Sequence, residues 1–287
     1  MVARIPIPNT DSLAVISRLA DERRSYKDFY NLLKPDWLLV SEIYISSGGC
    51  PMTASPLNLR NYTSSQEEAD ARKVSLVNLY SPEETQFQYS LLSSLRRDHG
   101  LIFCPCCGSH TVPGTLDHYL PKTSFPEFAV LLANLTPMCS TCQEEKGTSY
   151  LTEGGSKKFI HSYFDNIDFS FYKVKFEGDF SSPTFVFEFE EDIPLAFVSL
   201  VKEHASGVNI QKRFLSYCTT KYTHLLKIAH DLRQGGQESQ LRMFISMFLF
   251  VAQQNSVNCW EAVFYRSVLG SEELLDYLCN GELPIGL

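Results

Sequence analysis

Apolar positions recur at helical spacing near both ends of the chain and alternate in its middle. Leu13, Ile16 and Leu19 follow Asp11, so a helix capped by Asp11 is predicted. Residues 35–64 are interrupted by Pro35, Gly48, Gly49, Pro51 and Pro56 and are expected to be rich in loops. Ser65 precedes Gln66, Glu67 and Glu68, a helix start with acids well placed for the positive end of the helix. The next helix is predicted from Ser81 as cap and Pro82 at the first position, through Glu83 and Glu84, to Arg96, Arg97 and Gly100. The period then changes. Residues 169–177 are aromatic and partly alternating, and "TFVFEFE" from Thr184 places Phe185, Phe187 and Phe189 on one face. Val186, Glu188 and Glu190 take the other face, and the intervening "GDFSSP" is turn chemistry, so a β-hairpin is predicted. From Asn209 the helical spacing returns in Phe214, Tyr217, Leu225, Ile228 and Leu232 as far as Gly235-Gly236, with two or three further helices to follow.

This pattern divides the chain into three: a mostly helical region at 1–98, a motif-bearing segment at 99–160, and a hairpin followed by helices at 161–287. The fold class is α+β. Of the 287 residues, 44% are hydrophobic and 20% charged, enough apolar surface for a substantial core and too few charges for wholesale disorder. No run of eighteen apolar residues occurs, and "MVARIPIPNTDS" lacks the apolar core of a signal peptide, so a cytoplasmic protein without a membrane span is expected. The net charge of −8 counts against a protein that coats nucleic acid by general phosphate attraction. It leaves room for a single local basic groove.

The cysteines change the picture most. Cys50, Cys218, Cys259 and Cys279 are scattered, as buried small hydrophobes in a reducing compartment usually are. Cys104, Cys106, Cys107, Cys139 and Cys142 are clustered instead. One CxxC alone is as compatible with buried thiols or a redox pair as with zinc. Cys104–Cys107 and Cys139–Cys142 together have the spacing of a tetrahedral Cys₄ zinc site, because two intervening residues let one tight turn aim both sulfurs at one point. Gly108 follows the first pair, where the backbone of a zinc knuckle must bend. Cys106 is left as a spectator. Four sulfur ligands leave no open position for water, so such a zinc is structural and contributes directly to folding.

Between the two cysteine pairs lie Asp117, His118 and Asn134, and Gln143 follows them at the expected start of a helix. Leu116 and its neighbours place Asp117-His118 at the end of a short strand. Zinc at both ends would draw this strand toward the helix. A carboxylate can hold a hard cation such as Mg²⁺, and a neutral histidine fixed in one tautomer can take a proton from water. Phosphodiester hydrolysis needs both functions.

The stretch "CPCCG…LDHYLPKTSFPEFAVLLANLTPMCSTCQEEKG" resembles the HNH endonuclease family of the zinc-bearing ββα-metal type, over about residues 104–147. The resemblance implies an HNH module embedded between largely helical flanks. It implies that His118 is the general base and that Asp117 binds the catalytic Mg²⁺ or Mn²⁺. Asn134 then orients the base through hydrogen bonds, and Gln143 helps to hold the metal, although the family has His or Asn at that position. "LDHYLPK", "FPEFAV" and "NLTPMCSTC" are similar to HNH proteins of bacterial anti-phage defence systems of the Septu type, in which the nuclease works beside an ATPase. The resemblance thus implies a nucleic-acid substrate, DNA before RNA, and an ATPase partner protein. Lys122 and Lys146 are the expected phosphate contacts, with Lys157 and Lys158 further off. The downstream "HSYFD", His161 to Asp165, is read either as packing or as a second contribution to the site. The rival function is a zinc-scaffolded protein-interaction module, weak or inactive as an enzyme.

Overall fold

The computed structural model describes residues 2–285, and its first helix starts where the Asp11 carboxylate accepts the N–H groups of Leu13 and Ala14. That helix, α1 (Ser12–Glu22), buries Val15, Ile16 and Leu19. The segment expected to be loop-rich from residue 35 begins instead inside α2 (Lys27–Ser46), which runs straight through Pro35. A proline in a helix interior costs about 3 kcal/mol. Here Phe29, Tyr30, Leu33, Trp37 and Tyr44 are all buried on one face of α2, and that burial outweighs one missing hydrogen bond. The loop-rich character holds from Ser47 onward.

Ser65 caps α3 (Gln66–Asn78) by accepting the Glu68 N–H, as its position in the sequence predicts. The following helix starts later than Ser81-Pro82 suggests. Gln86 and Glu83 close a reciprocal turn, Gln86 N–H to the Glu83 carbonyl and Glu83 N–H to Gln86 Oε1, and α4 (Phe87–Arg97) begins only after it.

The middle of the chain forms a small antiparallel pair, β1 (Thr115–His118) with β2 (Leu135–Met138), in a register that sets Asp117 opposite Thr136 and His118 opposite Leu135. A short helix, α5 (Ser140–Lys146), follows directly. The predicted hairpin is present as β3 (Tyr172–Glu177) and β4 (Thr184–Phe189), and Phe176 meets Phe185 as Tyr172 meets Phe187. Five helices complete the described chain: α6 (Leu195–Gly207), α7 (Ile210–Gln234), α8 (Leu241–Gln253), α9 (Trp260–Leu269) and α10 (Glu272–Asn280). The sequence reading had not marked α6.

The fold is therefore mixed α+β, with ten helices and two small antiparallel sheets among the described residues. One hydrophobic cluster joins Trp37 and Tyr44 of α2, Phe128 and Leu132 of the β1–β2 loop, Phe171 beside the hairpin, and Phe214 and Phe264 of the C-terminal helices. No helix among the described residues is long and apolar enough to cross a membrane.

Candidate metal centre and adjoining polar site

The two CxxC units meet. The Sγ atoms of Cys104, Cys107, Cys139 and Cys142 all lie within 4.8 Å of one another, and the four residues are buried. A tetrahedral zinc with Zn–S of about 2.3 Å needs sulfurs roughly 3.8 Å apart, a spacing this cluster can adopt with small shifts. The local backbone has the knuckle form. Gly108 N–H donates to the Cys104 carbonyl, Cys104 N–H to the Ser109 carbonyl, and Gly108 has φ +83°. Any side chain at Gly108 would stand 2.6 Å from the Asn258 carbonyl, so only glycine fits. Cys106 is not one of the four clustered ligands, although its thiol reaches Cys142, and its carbonyl accepts from His204 Nε2 at 2.8 Å.

Four thiolates gathered without a cation would repel one another, and a zinc bound by four of them retains a charge of about −2. Arg213 of α7 answers that charge. Its guanidinium faces Cys142 Sγ at 3.2 Å, Cys107 Sγ at 3.5 Å and Cys139 Sγ at 3.7 Å. The donor set, its burial and this arginine all fit a structural metal such as zinc.

The neighbouring polar site is arranged differently. His118 ends β1 with its Nε2 placed 2.9 Å from the Ala129 carbonyl. A nitrogen facing a carbonyl must carry the proton, so Nδ1 holds the lone pair. Burial pushes the His118 pKa down to about 3, with Lys122 and Lys146 adding to the effect against the Ala129 bond. The ring is therefore neutral at ordinary pH. It also packs edge-on against Tyr80 at 4.4 Å between centroids.

Asn134 is saturated. Its Oδ1 accepts from Leu120 N–H at 2.8 Å and from Tyr44 Oη at 3.3 Å, and its Nδ2 donates to the carbonyls of Leu120 and Phe128 at 3.0 and 3.2 Å. Leu120 lies two residues beyond His118, and Phe128 immediately precedes Ala129. The Asn134 amide thus ties together the two backbone segments that set the His118 ring.

Asp117 and Gln143 do not converge on a shared point as expected. Side chains alternate along a strand, so Asp117 turns toward α5 while His118 turns toward Tyr80. The Asp117 carboxylate lies 3.0 Å from Lys146 Nζ, with 4% and 1% of these side chains exposed. The same ammonium donates to the His118 carbonyl at 3.0 Å. Burial raises the Asp117 pKa and Lys146 opposes that rise. Gln143 turns its amide N–H₂ to the Leu116 carbonyl at 3.0 Å. In this arrangement Asp117 already faces an internal cation, and the Gln143 amide is held through its N–H₂ group.

Lys146 consequently corrects the reading that placed it against phosphate. It is a buried partner of Asp117, because the short α5 packs on β1 along the face that carries it. Lys122 is half-buried with its ammonium 4.4 Å from the Tyr80 ring centroid, beside His118. Arg96 of α4 donates to Tyr80 Oη at 3.3 Å. Tyr80 Oη in turn donates to the Leu116 carbonyl at 3.0 Å. Tyr80 and Arg96 were missed, since nothing in the sequence marks residues outside the motif that only packing brings to it. His161 is fully buried against Tyr44 and Tyr119, and Asp165 pairs with Lys157 and accepts the His161 N–H.

Among known proteins, the chain is similar to protein ea31 of Escherichia phage lambda. The two are 27% identical over 225 residues, which span 70% of this chain and 73% of that protein. No protein-family model matches the chain, and no solved structure matches it.

Proposed function

We propose that the protein is an HNH-type endonuclease that hydrolyses phosphodiester bonds in nucleic acid, DNA before RNA. The observation that carries this reading is His118. It stands at the end of β1 in a strand–strand–helix frame, its Nε2–H is tied to the Ala129 carbonyl, and Asn134 clamps the segments on either side. That is the environment of a base with one defined free nitrogen.

In this reading Nδ1 of His118 takes the proton of the attacking water. Lys122 and Arg96 supply positive charge beside it for the phosphate. A phosphate held there would raise the His118 pKa from its depressed value, because a nearby anion favours the imidazolium. The cysteine clamp holds the frame, with zinc supplying fixed geometry rather than reactivity. The resemblance also implies Mg²⁺ at Asp117 and Gln143. For such a cation to enter, Lys146 must leave Asp117 and the Gln143 amide must turn. The family resemblance also implies an anti-phage setting, in which an ATPase partner would supply regulation.

The Asp117–Lys146 pair favours a second reading, a zinc-scaffolded interaction module whose would-be metal corner is closed. Purified protein incubated with supercoiled plasmid and Mg²⁺ separates the two. The nuclease reading expects nicking that falls at least 100-fold in His118→Ala. Equal nicking by both proteins would remove His118 as base. No nicking by either, with or without the ATPase, would leave the interaction module.

A further inference from the structure

His161 lies 43 residues beyond His118, outside the motif segment, yet it connects to the site through hydrogen bonds whose direction can be worked out. Its Nδ1 accepts the Tyr163 N–H at 3.2 Å, so Nδ1 carries no proton. Burial holds the His161 pKa well below its ordinary value, so the ring is neutral and its one proton sits on Nε2. Nε2 faces Tyr44 Oη at 3.1 Å, and the Ala133 carbonyl also lies against the ring. The Nε2 proton faces both the Ala133 carbonyl and Tyr44 Oη, and a protonated Nε2 cannot accept, so Tyr44 has its own hydroxyl proton to give elsewhere. The acceptor within reach is Asn134 Oδ1 at 3.3 Å. Oδ1 already accepts from Leu120, so with Tyr44 both of its lone pairs are used. This leaves the Asn134 Nδ2 group facing the Leu120 and Phe128 carbonyls. Tyr44, Asn134 and His161 are each at most 1% exposed, so no water competes for these bonds.

We infer that Tyr44 and His161 are positioning residues: through one directed chain, Tyr163 N–H to His161 to Tyr44 to Asn134, they fix which way the Asn134 amide points and thereby hold the Phe128–Ala129 segment whose carbonyl sets the tautomer of His118. If Asn134 were flipped, its N–H₂ would meet the Leu120 N–H and the Tyr44 hydroxyl. The Leu120 and Phe128 carbonyls would meet an oxygen. The chain makes that state unavailable, because each buried unmade bond is costly. Helix α2 and the "HSYFD" turn thus act on the site without touching a substrate.

The inference rests on the nuclease reading only where cleavage is the readout. Imidazole ¹⁵N spectroscopy of the full chain tests it first, with no substitution. His161 is expected as the Nε2–H tautomer and His118 likewise. A His161 that carries its proton on Nδ1 would reverse the chain and overturn the inference. Tyr44→Phe is the second arm, judged on samples that keep their helical circular dichroism and metal content. His118 is expected to lose its single tautomer, and the Asn134 side-chain amide protons to exchange at least tenfold faster. In cleavage, kcat should fall on the order of tenfold or more at unchanged KM. Tyr30→Phe removes an equally buried hydroxyl, one bonded to Ser75 at 2.9 Å, and should leave all three readouts unchanged. A folded Tyr44→Phe protein with His118 still in one tautomer would overturn the inference. A wild-type protein with these spectra but no cleavage would end the nuclease reading and leave the positioning chain standing.

Discussion

The cysteine clamp and the Asp117–Gln143 corner share β1, β2 and α5, yet they treat charge in opposite ways. In the clamp, four like ligands converge within 4.8 Å, and the cation that faces them, Arg213, stands outside the cluster. The clamp is a donor set that could hold a structural metal such as zinc. In the corner, Lys146 faces the Asp117 carboxylate and the Leu116 carbonyl holds the Gln143 N–H₂ group. The corner carries its own cation. A frame can therefore resemble a metal-dependent nuclease in outline while its two sites differ in what they require from solution.

The largest effect expected from breaking this contrast is at the clamp. Chelation of zinc, or Cys142→Ser, should cost on the order of 10 kcal/mol and unfold residues 104–147. Circular dichroism and hydrogen exchange would report it. The comparable change in the corner is Lys146→Met, which strands the buried Asp117 carboxylate and should cost about 3–5 kcal/mol in urea denaturation. Adding Asp117→Asn to Lys146→Met should recover most of that loss. Recovery on adding Mg²⁺ instead would show that the corner takes a cation once its internal one is gone.

A smaller effect is expected at Glu127, in the loop that carries Ala129. The residue is fully buried, its Oε1 accepts from Leu57 N–H at 3.1 Å, and burial pushes its pKa up to about 7. The folded state therefore binds this proton more tightly than the unfolded chain does. The contribution of Glu127 to stability is complete below the unfolded carboxylate value of roughly 4.3 and is lost as pH rises through about 7. Glu127→Gln should thus gain on the wild type by up to about 3 kcal/mol between pH 4.5 and pH 8. The comparison must be made variant against wild type at each pH. The buried His118 works in the opposite sense, adding stability as pH rises toward about 6.5. A flat difference would mean that Glu127 is ionised in both states.

What could be read from the sequence was whatever is decided locally. The clamp follows from two CxxC spacings and Gly108, the caps from Asp11 and Ser65, and the hairpin from alternating phenylalanines around a turn. Two departures, at Pro35 and Lys146, came from packing, and one from a competing local turn. Pro35 stays inside α2 because the buried Trp37 and Tyr44 hold that helix on the core. Ser81-Pro82 looked like a helix start, but the Glu83–Gln86 turn takes those residues first. Lys146 looked like a surface cation, and only the docking of α5 on β1 turns it inward. Tyr44, Tyr80, Arg96 and Arg213 could not be assigned to the site from the sequence, and His161 only as one of two readings. Each comes from an element outside residues 104–147, and no local pattern says which face of a helix will meet which loop.

Metal analysis tests the contrast most directly. The protein should be purified without added metal, assayed for zinc, and then dialysed against millimolar Mn²⁺ with Lys146 intact. One tightly held zinc per chain, lost together in Cys104→Ser, and no retained manganese is the expected result. A chain that carries no zinc, or one that retains manganese while Lys146 is in place, would contradict the division between a clamp that holds a metal and a corner that supplies its own charge.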